Sequence, residues 1–455
     1  MANQANPKAI RRAELLGALP PEWPKNLMPA IRAARRDKVV VLDDDPTGTQ
    51  TVHSVPVLTE WPVEALQAEL ANNLPAFYIL TNSRALPPHE AEALNAEIGR
   101  NLLQAAQRAG RSFAVISRSD STLRGHFPGE VEALAASLGG DFHSWLLIPF
   151  FLEGGRYTID DVHYVAEGDM LVPAGETEFA RDRTFGYHSS NLRAWVEEKT
   201  QGRVPAAAVA SLSLADIRLG GPECVAKRLA SLPRGSICVV NAASYRDLEA
   251  VALGMLTAEA QGLRFLCRTA ASIVPVRAGL ERRPLLAPAG LAAPGQSGGL
   301  IVVGSYVPRT TTQLAPLLAL AGVEAIEVPV PDLLSDGREE TIRRAARQAD
   351  QAIAAGKDAV IYTSRSLVAG DDGAQSLAIG GRVSQALVAI VRGIRTRPRY
   401  LLAKGGITSS DVATQGLGVT RAMVLGQVLP GVPVWRLGEE SRHPGLSYIV
   451  FPGNV

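Results

Sequence analysis

The stretch SRSDSTLRGH, Ser117 to His126, gathers Arg118, Ser119, Asp120, Ser121, Thr122, Arg124 and Gly125 within a few residues. Arginines beside hydroxyls suit bidentate recognition of a carboxylate or phosphate, and an aspartate among them stays ionised to accept a proton or hold a metal. The alternative is an internal Arg–Asp pair that closes a turn. Arg84, in TNSRA, adds a guanidinium and favours an anion site. A second cluster is Asp43, Asp44 and Asp45, followed by PTGT. Like charges this close raise one another's pKa, so folding alone does not put them together. One aspartate would serve as a helix N-cap; three in a row call for a further role. The Pro-Thr-Gly-Thr turn presents backbone N–H and hydroxyl donors beside them.

The second half carries two glycine turns, GSYVPRTTTQ (304–313) and KGGITSSDVA (404–413). Each offers glycines for close backbone approach, then Ser or Thr at a helix start, where free N–H groups and the helix dipole favour phosphate. Gly405 and Gly406 stand beside Lys404 and ahead of Thr408. No Walker loop occurs, and GLGVTR (416–421) keeps only the first two glycines of the dinucleotide fingerprint. His53, His126, His163 and His188 lack metal-ligand spacing and read as structural or surface residues, with His126 placed next to the arginine loop.

These residues need a scaffold. The runs VVVL (39–42), FYIL (77–80), FAVI (113–116) and WLLI (145–148) alternate with helical stretches such as HEAEALNAEIGRNLLQAAQRAG, which predicts a parallel sheet covered by helices. In such sheets ligands lie at the carboxyl ends of the strands, so DDDPTG, TNSRA and SRSDSTLRG are expected in one cleft. Arg156 to Gly186 is expected to supply hairpins or a lid. SICVVNA (236–242) and RFLCRTA (264–270) read as further strands. Arg282–Gly299, dense in Pro, Ala and Gly, reads as a linker, after which LIVV, AVIYTSR (359–365) and YLLAKGG restart the α/β rhythm. Residues 1–37 form an accessory arm, broken by Pro20, Pro21 and Pro24.

The chain's 455 residues suggest roughly two or three domains. With 46 basic and 45 acidic side chains, no global field draws it to nucleic acid or anionic lipid, so an anionic ligand needs a local site. Cys224, Cys238 and Cys267 are widely spaced and odd in number, which fits a reducing compartment. There is no secretory pattern at the N-terminus and no run of about 18 apolar residues, so the cytoplasm is the expected location.

DDDPTGTQTV, LTNSRAL and RSDSTLRGH, with VVGSYVPRTTTQ, AKGGITSSDVA and the terminal PGNV, resemble the four-carbon acid sugar kinases from about Val39 to Val455. The family's usual acidic loop has two aspartates, an apolar residue, then Thr and Gly; here Pro46 takes the apolar place and Asp43 adds a carboxylate. The resemblance implies two α/β domains with mostly parallel sheets and an active site in the cleft between them. The sugar-acid-binding domain would span 38–281, the linker 282–299 and the nucleotide-binding domain 300–455. It implies ATP-dependent phosphorylation of a hydroxyl on a small sugar acid, with Mg²⁺ riding on the nucleotide. The substrate side would be Asp44 or Asp45, Arg84 and Arg118 to Ser121, with Arg124 in the same loop. Asp44, Asp45 and Asp120 are all eligible as the base. The ATP side would be Ser305, Gly405, Gly406, Ile407, Thr408 and Gly453, beside Lys404. An NAD(P)-dependent hydroxy-acid oxidoreductase and a non-catalytic sugar-acid sensor are the alternatives; the missing third glycine counts against the first. The expected partner is a small sugar acid, without nucleic acid or membrane, in a protein that is a candidate homo-oligomer.

Overall fold

A computed structural model describes residues 8–455 apart from 288–289, 292–294, 296, 306, 366–372 and 454–455. The chain forms two compact units, Met1–Val55 with Glu60–Arg282, and Pro56–Thr59 with Arg283–Val455. Both are α/β and both are built mainly on parallel strands, as the alternation of apolar runs with helical stretches predicts.

In the first unit the parallel strands run in the order Ala210–Leu212, Ser236–Val240, Ser144–Ile148, Phe265–Thr269, Phe113–Arg118, Lys38–Asp43 and Ala76–Leu80. Val39, Val40 and Val41 are all buried, as expected where helices cover both faces of a parallel sheet. The helix Pro88–Ala109 shows how the sequence builds that cover. Proline starts it, Ala91, Ile98, Leu102 and Ala105 recur at helical spacing on its buried face, and Gly110 ends it at φ +61°. Since the strands are parallel, the loops after Asp43, Leu80, Arg118 and Thr269 leave from the same edge of the sheet.

Arg156–Ile159, Val162–Glu167 and Met170–Pro173 form the expected hairpins, joined by Ile10–Arg11 from the N-terminal arm. The rest of the arm is anchored too. Leu27 N–H donates to Glu249 at 2.8 Å, and Arg218 Nη1 donates to the Pro20 carbonyl at 2.7 Å. The same Arg218 forms a bidentate pair with buried Asp247 at 2.8 and 2.9 Å. Asp247 in turn accepts from the Ala243 and Ser244 N–H groups and completes the capping box of the helix Tyr245–Glu259.

In the second unit Leu401–Lys404, Leu300–Val303, Asp358–Thr363 and Val323–Val328 are parallel neighbours, and Ser447–Phe451 pairs parallel to Leu401–Lys404. Arg421–Leu429 and Val432–Leu437 complete it as antiparallel strands. Thr59 N–H donates to the Thr420 carbonyl at 3.0 Å, which ties a segment from early in the chain to this unit. Within the expected linker, Leu286 N–H donates to Gln427, and Leu291 packs in a cluster with Val432, Val434 and Ile449.

Removing one partner of a buried ion pair leaves the other charge uncompensated, at a cost of about 3–5 kcal/mol. Asp247→Ala is therefore expected to lower stability by about that amount through stranded Arg218, read as a shift in the urea midpoint by circular dichroism. An unchanged midpoint would remove Asp247 as the anchor of the arm.

Candidate active site

The register of the sheet sets the first contact of the site. Asp43 and Arg118 are paired across neighbouring strands, so their side chains stand together, and Arg118 Nη1 donates to Asp43 Oδ1 at 3.0 Å. One residue on, Asp44 accepts from Arg84 through Nη2 at 2.6 Å and Nε at 3.4 Å, and from the Ser119 hydroxyl. Arg84 is delivered by a short turn whose preceding residue, Asn82, sits at φ +49°, a conformation asparagine tolerates better than most residues. Asp45 caps its own turn by accepting from Thr47 N–H at 2.8 Å, and its other oxygen lies 3.5 Å from Arg84 Nη1. Asp120 accepts from Arg124 Nε at 2.8 Å and from the Thr122 hydroxyl, while its second oxygen is 3.8 Å from Arg84. The expected residues of this half thus come together, and an internal Arg–Asp pair does close the turn at Asp120 and Arg124.

Electrostatics separate the carboxylates. Burial pushes the Asp43 carboxyl up to about 7; Arg118 opposes the rise, and Asp44 and Asp45 add to it. Burial also pushes on Asp44 and Asp120, but neighbouring guanidiniums win. Arg84, assisted by Arg268 and Arg118, holds Asp44 below the ordinary carboxylate range. Arg124 and Arg84, with the Thr122 hydrogen bond, hold Asp120 far below it. Asp43 cannot reach a ligand from its position: it is buried against Gly48, where any Cβ would collide with the Asp43 carboxylate. Of the three eligible bases, Asp45 has the most exposed side chain at 20%, against 3% for Asp44 and 13% for Asp120.

Ser121 lies in the same loop with its carbonyl held by His163 Nε2 at 2.7 Å. That carbonyl can only accept, so Nε2 carries the proton and Nδ1 accepts from Thr158 at 3.0 Å. Burial lowers His163 to about 4, which keeps it neutral and structural, as its isolation in sequence suggested. His126 is likewise structural: its Nε2 lies 3.2 Å from the Ser83 carbonyl.

Sequence reasoning missed Arg268, which donates to Ser117 at 3.0 Å and pairs with Glu130 at 3.5 Å. The available signal was an arginine inside the buried run FLCRT. Arg268 also explains Gly125, at φ +125°. A Cβ there would lie 2.7 Å from both Arg268 Nη2 and Ser119 Oγ.

In the second unit Ser305, Gly405, Thr408 and Gly453 form one cradle. A Cβ on Gly304 would collide with Thr408, one on Gly405 would approach Ser305 at 3.2 Å, and one on Gly453 would lie 3.1 Å from Ser305 Oγ. Gly406 opens the helix Gly406–Asp411 and Ile407 is exposed beside it. Lys404 is buried; its ammonium donates to the Pro452 carbonyl at 2.9 Å and stands 3.9 Å over the Phe451 ring. Burial, then Arg309, brings it down to about 8. Arg365, also missed, donates to the Ser305 carbonyl at 2.7 Å and to Thr311 at 3.1 Å, and its Nη1 is buried without a hydrogen-bond partner. By contrast, Gly416–Arg421 leads into the strand Arg421–Leu429, whereas a dinucleotide fingerprint needs a helix there.

A charged, hydroxyl-rich cluster stands at the strand ends of one α/β unit, and glycines gather around Ser305 and Thr408 in the other. Residues 39–277 match the family described as a sugar-binding N-terminal domain, and residues 300–455 match that described as a nucleotide-binding C-terminal domain. The chain belongs to the four-carbon acid sugar kinase family. It is 29% identical to a D-erythronate kinase of Heliobacterium modesticaldum over 61% of this chain, and spans 59% of that protein's length. It is 27% identical to a D-threonate kinase of Cupriavidus necator over 78% of each chain. With a 3-oxo-tetronate kinase of Methylobacterium radiotolerans it shares 28% identity over 86% of this chain and 91% of the relative. A Haemophilus influenzae protein of known structure has the same fold, with a TM-score of 0.61 at 18% identity over 91% of this chain and 96% of its own.

The raised pKa of Asp43 has a definite sign in stability. The folded state holds the Asp43 proton from the ordinary carboxylate range up to about 7, so this contribution is complete below that range and is lost as pH rises through 7. Compared with Asp43→Asn, which stays neutral, the native protein is expected to lose about 1–4 kcal/mol between pH 4 and pH 8. Urea midpoints of both proteins across that range measure it; groups that titrate in both proteins cancel. Parallel curves would show that Asp43 does not titrate in this window.

Proposed function

We propose that the protein is a cytoplasmic ATP-dependent kinase that phosphorylates a hydroxyl of a small, four-carbon sugar acid. The observation that carries this reading is the carboxylate cluster of the sugar-binding domain, in which Arg84 and Arg124 hold Asp44 and Asp120 ionised beside the partly exposed Asp45. The kinase names of the three relatives support the same reaction class.

Phosphoryl transfer asks little covalent chemistry of a protein; it asks for alignment and for neutralisation of charge. Asp45 is the proposed base: one of its oxygens is taken by Thr47, and the other faces outward past Arg84. Asp44 and Asp120 fix the guanidiniums and hydroxyls around the acceptor, with Arg84, Arg118, Ser119, Ser121 and Arg124 forming its walls. In the second unit, the backbone at Gly405 to Thr408 and the Ser305 hydroxyl would receive the phosphates. Glycine at 304, 405 and 453 lets these strand ends approach closely, since a Cβ at each would press on Thr408 or Ser305. Arg365 has an unpaired N–H at the edge of this cradle for phosphate oxygen, and Lys404 positions Gly453 through Pro452. Mg²⁺ on the nucleotide supplies further charge neutralisation.

An ADP-release screen over four-carbon aldonic acids tests the reaction, and Asn substitution at Asp44, Asp45 and Asp120 tests the base. Asp45→Asn is expected to lower kcat by about 10² to 10⁴ with a smaller change in KM. Near-normal kcat in all three variants would end the acidic-loop mechanism. A thermal shift with NAD but not with ATP·Mg would favour the oxidoreductase instead.

A further inference from the structure

Five arginines meet at the strand edge of the first unit, and four have a carboxylate. Arg84 pairs with Asp44, Arg118 with Asp43, Arg124 with Asp120 and Arg268 with Glu130. Arg156, the first residue of the hairpin strand Arg156–Ile159, has no ion pair among the described residues. Its guanidinium donates to the Gly154 carbonyl, while its Nε is buried without any hydrogen-bond partner. It is nonetheless only partly buried as a residue, so a solute can reach it.

The surroundings make this unpaired charge costly. Arg156 and Arg124 both lie over the ring of Phe179, at 5.6 and 5.2 Å from its centroid, so two guanidiniums share one aromatic ring. Cation–π attraction offsets part of the cost at about 0.5–1 kcal/mol for an exposed site. It does not satisfy the orphaned N–H. Burial and the neighbouring Arg124 charge both lower the Arg156 pKa, and Asp120 only partly opposes them. A half-buried guanidinium with a missing acceptor is a binding feature waiting for an anion.

Building on the proposed kinase reading, we infer that Arg156 receives the carboxylate of the acceptor, with Arg124 beside it and Phe179 covering the pair, and so selects acids over neutral sugars. Arg118 Nε also lacks a partner, but Arg118 is almost fully buried against Asp43, which leaves the more accessible Arg156 to read the ligand's charge. Planar guanidinium suits a planar carboxylate, whereas a lysine in its place would lose the two-pronged geometry.

The test compares Arg156→Gln and Arg156→Lys with the native enzyme in ADP-release assays on D-erythronate and D-threonate, and on the neutral tetritols erythritol and threitol. Arg156→Gln is expected to raise KM for the acids about 10- to 100-fold and so to lower the ratio of kcat/KM on the acids to that on the tetritols. Arg156→Lys should recover part of the loss. An unchanged acid-to-tetritol ratio, or an equal loss on both, would overturn the assignment and make Arg156 a hairpin residue. A crystal of the native protein with the acid decides it where the Gln variant does not fold: the carboxylate lies on Arg156 or the assignment is wrong. Should no substrate release ADP, the kinase reading fails by itself, and calorimetric binding of the acids to native protein and to Arg156→Lys still tests Arg156. Binding that weakens in the variant supports the assignment; equal binding or none overturns it.

Discussion

The first unit's site depends on mutual neutralisation of carboxylates and guanidiniums at a dehydrated sheet edge. Asp43 and Arg118 are fixed by strand register, and Asp44 and Arg84 by a turn that crosses to the neighbouring strand's end. A charge stranded there would cost several kcal/mol, so each group locks the rotamer of its partner. The consequence is preorganisation. Arginines that looked free to clasp a ligand are already clasping aspartates. Under the proposed function, the groups left to meet a ligand are the second oxygen of Asp45 and the half-used guanidinium of Arg156.

Much of the scaffold was legible in sequence because its cause is local. VVVL, FYIL, FAVI and WLLI are runs too apolar and branched for anything but buried strands, and the polar stretches after them follow onto one edge once the strands are parallel. The membership of the acidic loop, Arg84 and the Ser117–His126 loop in one cluster came from that topological rule. The pairing within the cluster did not. Whether Arg118 serves Asp43 or a ligand depends on strand register, which no local pattern encodes. Arg268 and Arg156 arrive from distant segments, one in an apolar strand and the other in a hairpin. The anchoring of the arm through Arg218 and Asp247 and the packing of Leu291 on Val432 and Val434 are likewise long-range facts.

The nucleotide side was legible for a different reason. Its cradle is made by what is absent, the Cβ atoms of Gly304, Gly405 and Gly453, and glycine is visible in any sequence. Visibility is not specificity, since a glycine turn ahead of a hydroxyl begins many helices that bind nothing. Here Gly405 and Gly453 approach Ser305 from other strand ends, while Gly304, next to Ser305 in the chain, packs against Thr408. Lys404 illustrates the limit of reading charge alone: it looks like a phosphate ligand, yet its ammonium is spent on the Pro452 carbonyl and the Phe451 ring.

Three adjacent aspartates are tolerated because they do not share one environment. Alternation along an extended chain turns successive side chains in opposite directions. Asp43 goes into the packed layer beside Gly48, with its carboxyl pushed up to about 7, so it sheds part of the repulsion by taking a proton rather than by moving away. Asp44 keeps its charge by taking both prongs of Arg84, and Asp45 turns to the surface as the cap of its own turn. Were Asp43 fully ionised, Arg118 would have to serve three anions; with Asp43 largely neutral below pH 7, the Arg118 charge also acts on Asp44. The additional carboxylate is thus compatible with ionised Asp44 beside it because burial favours the neutral form of Asp43.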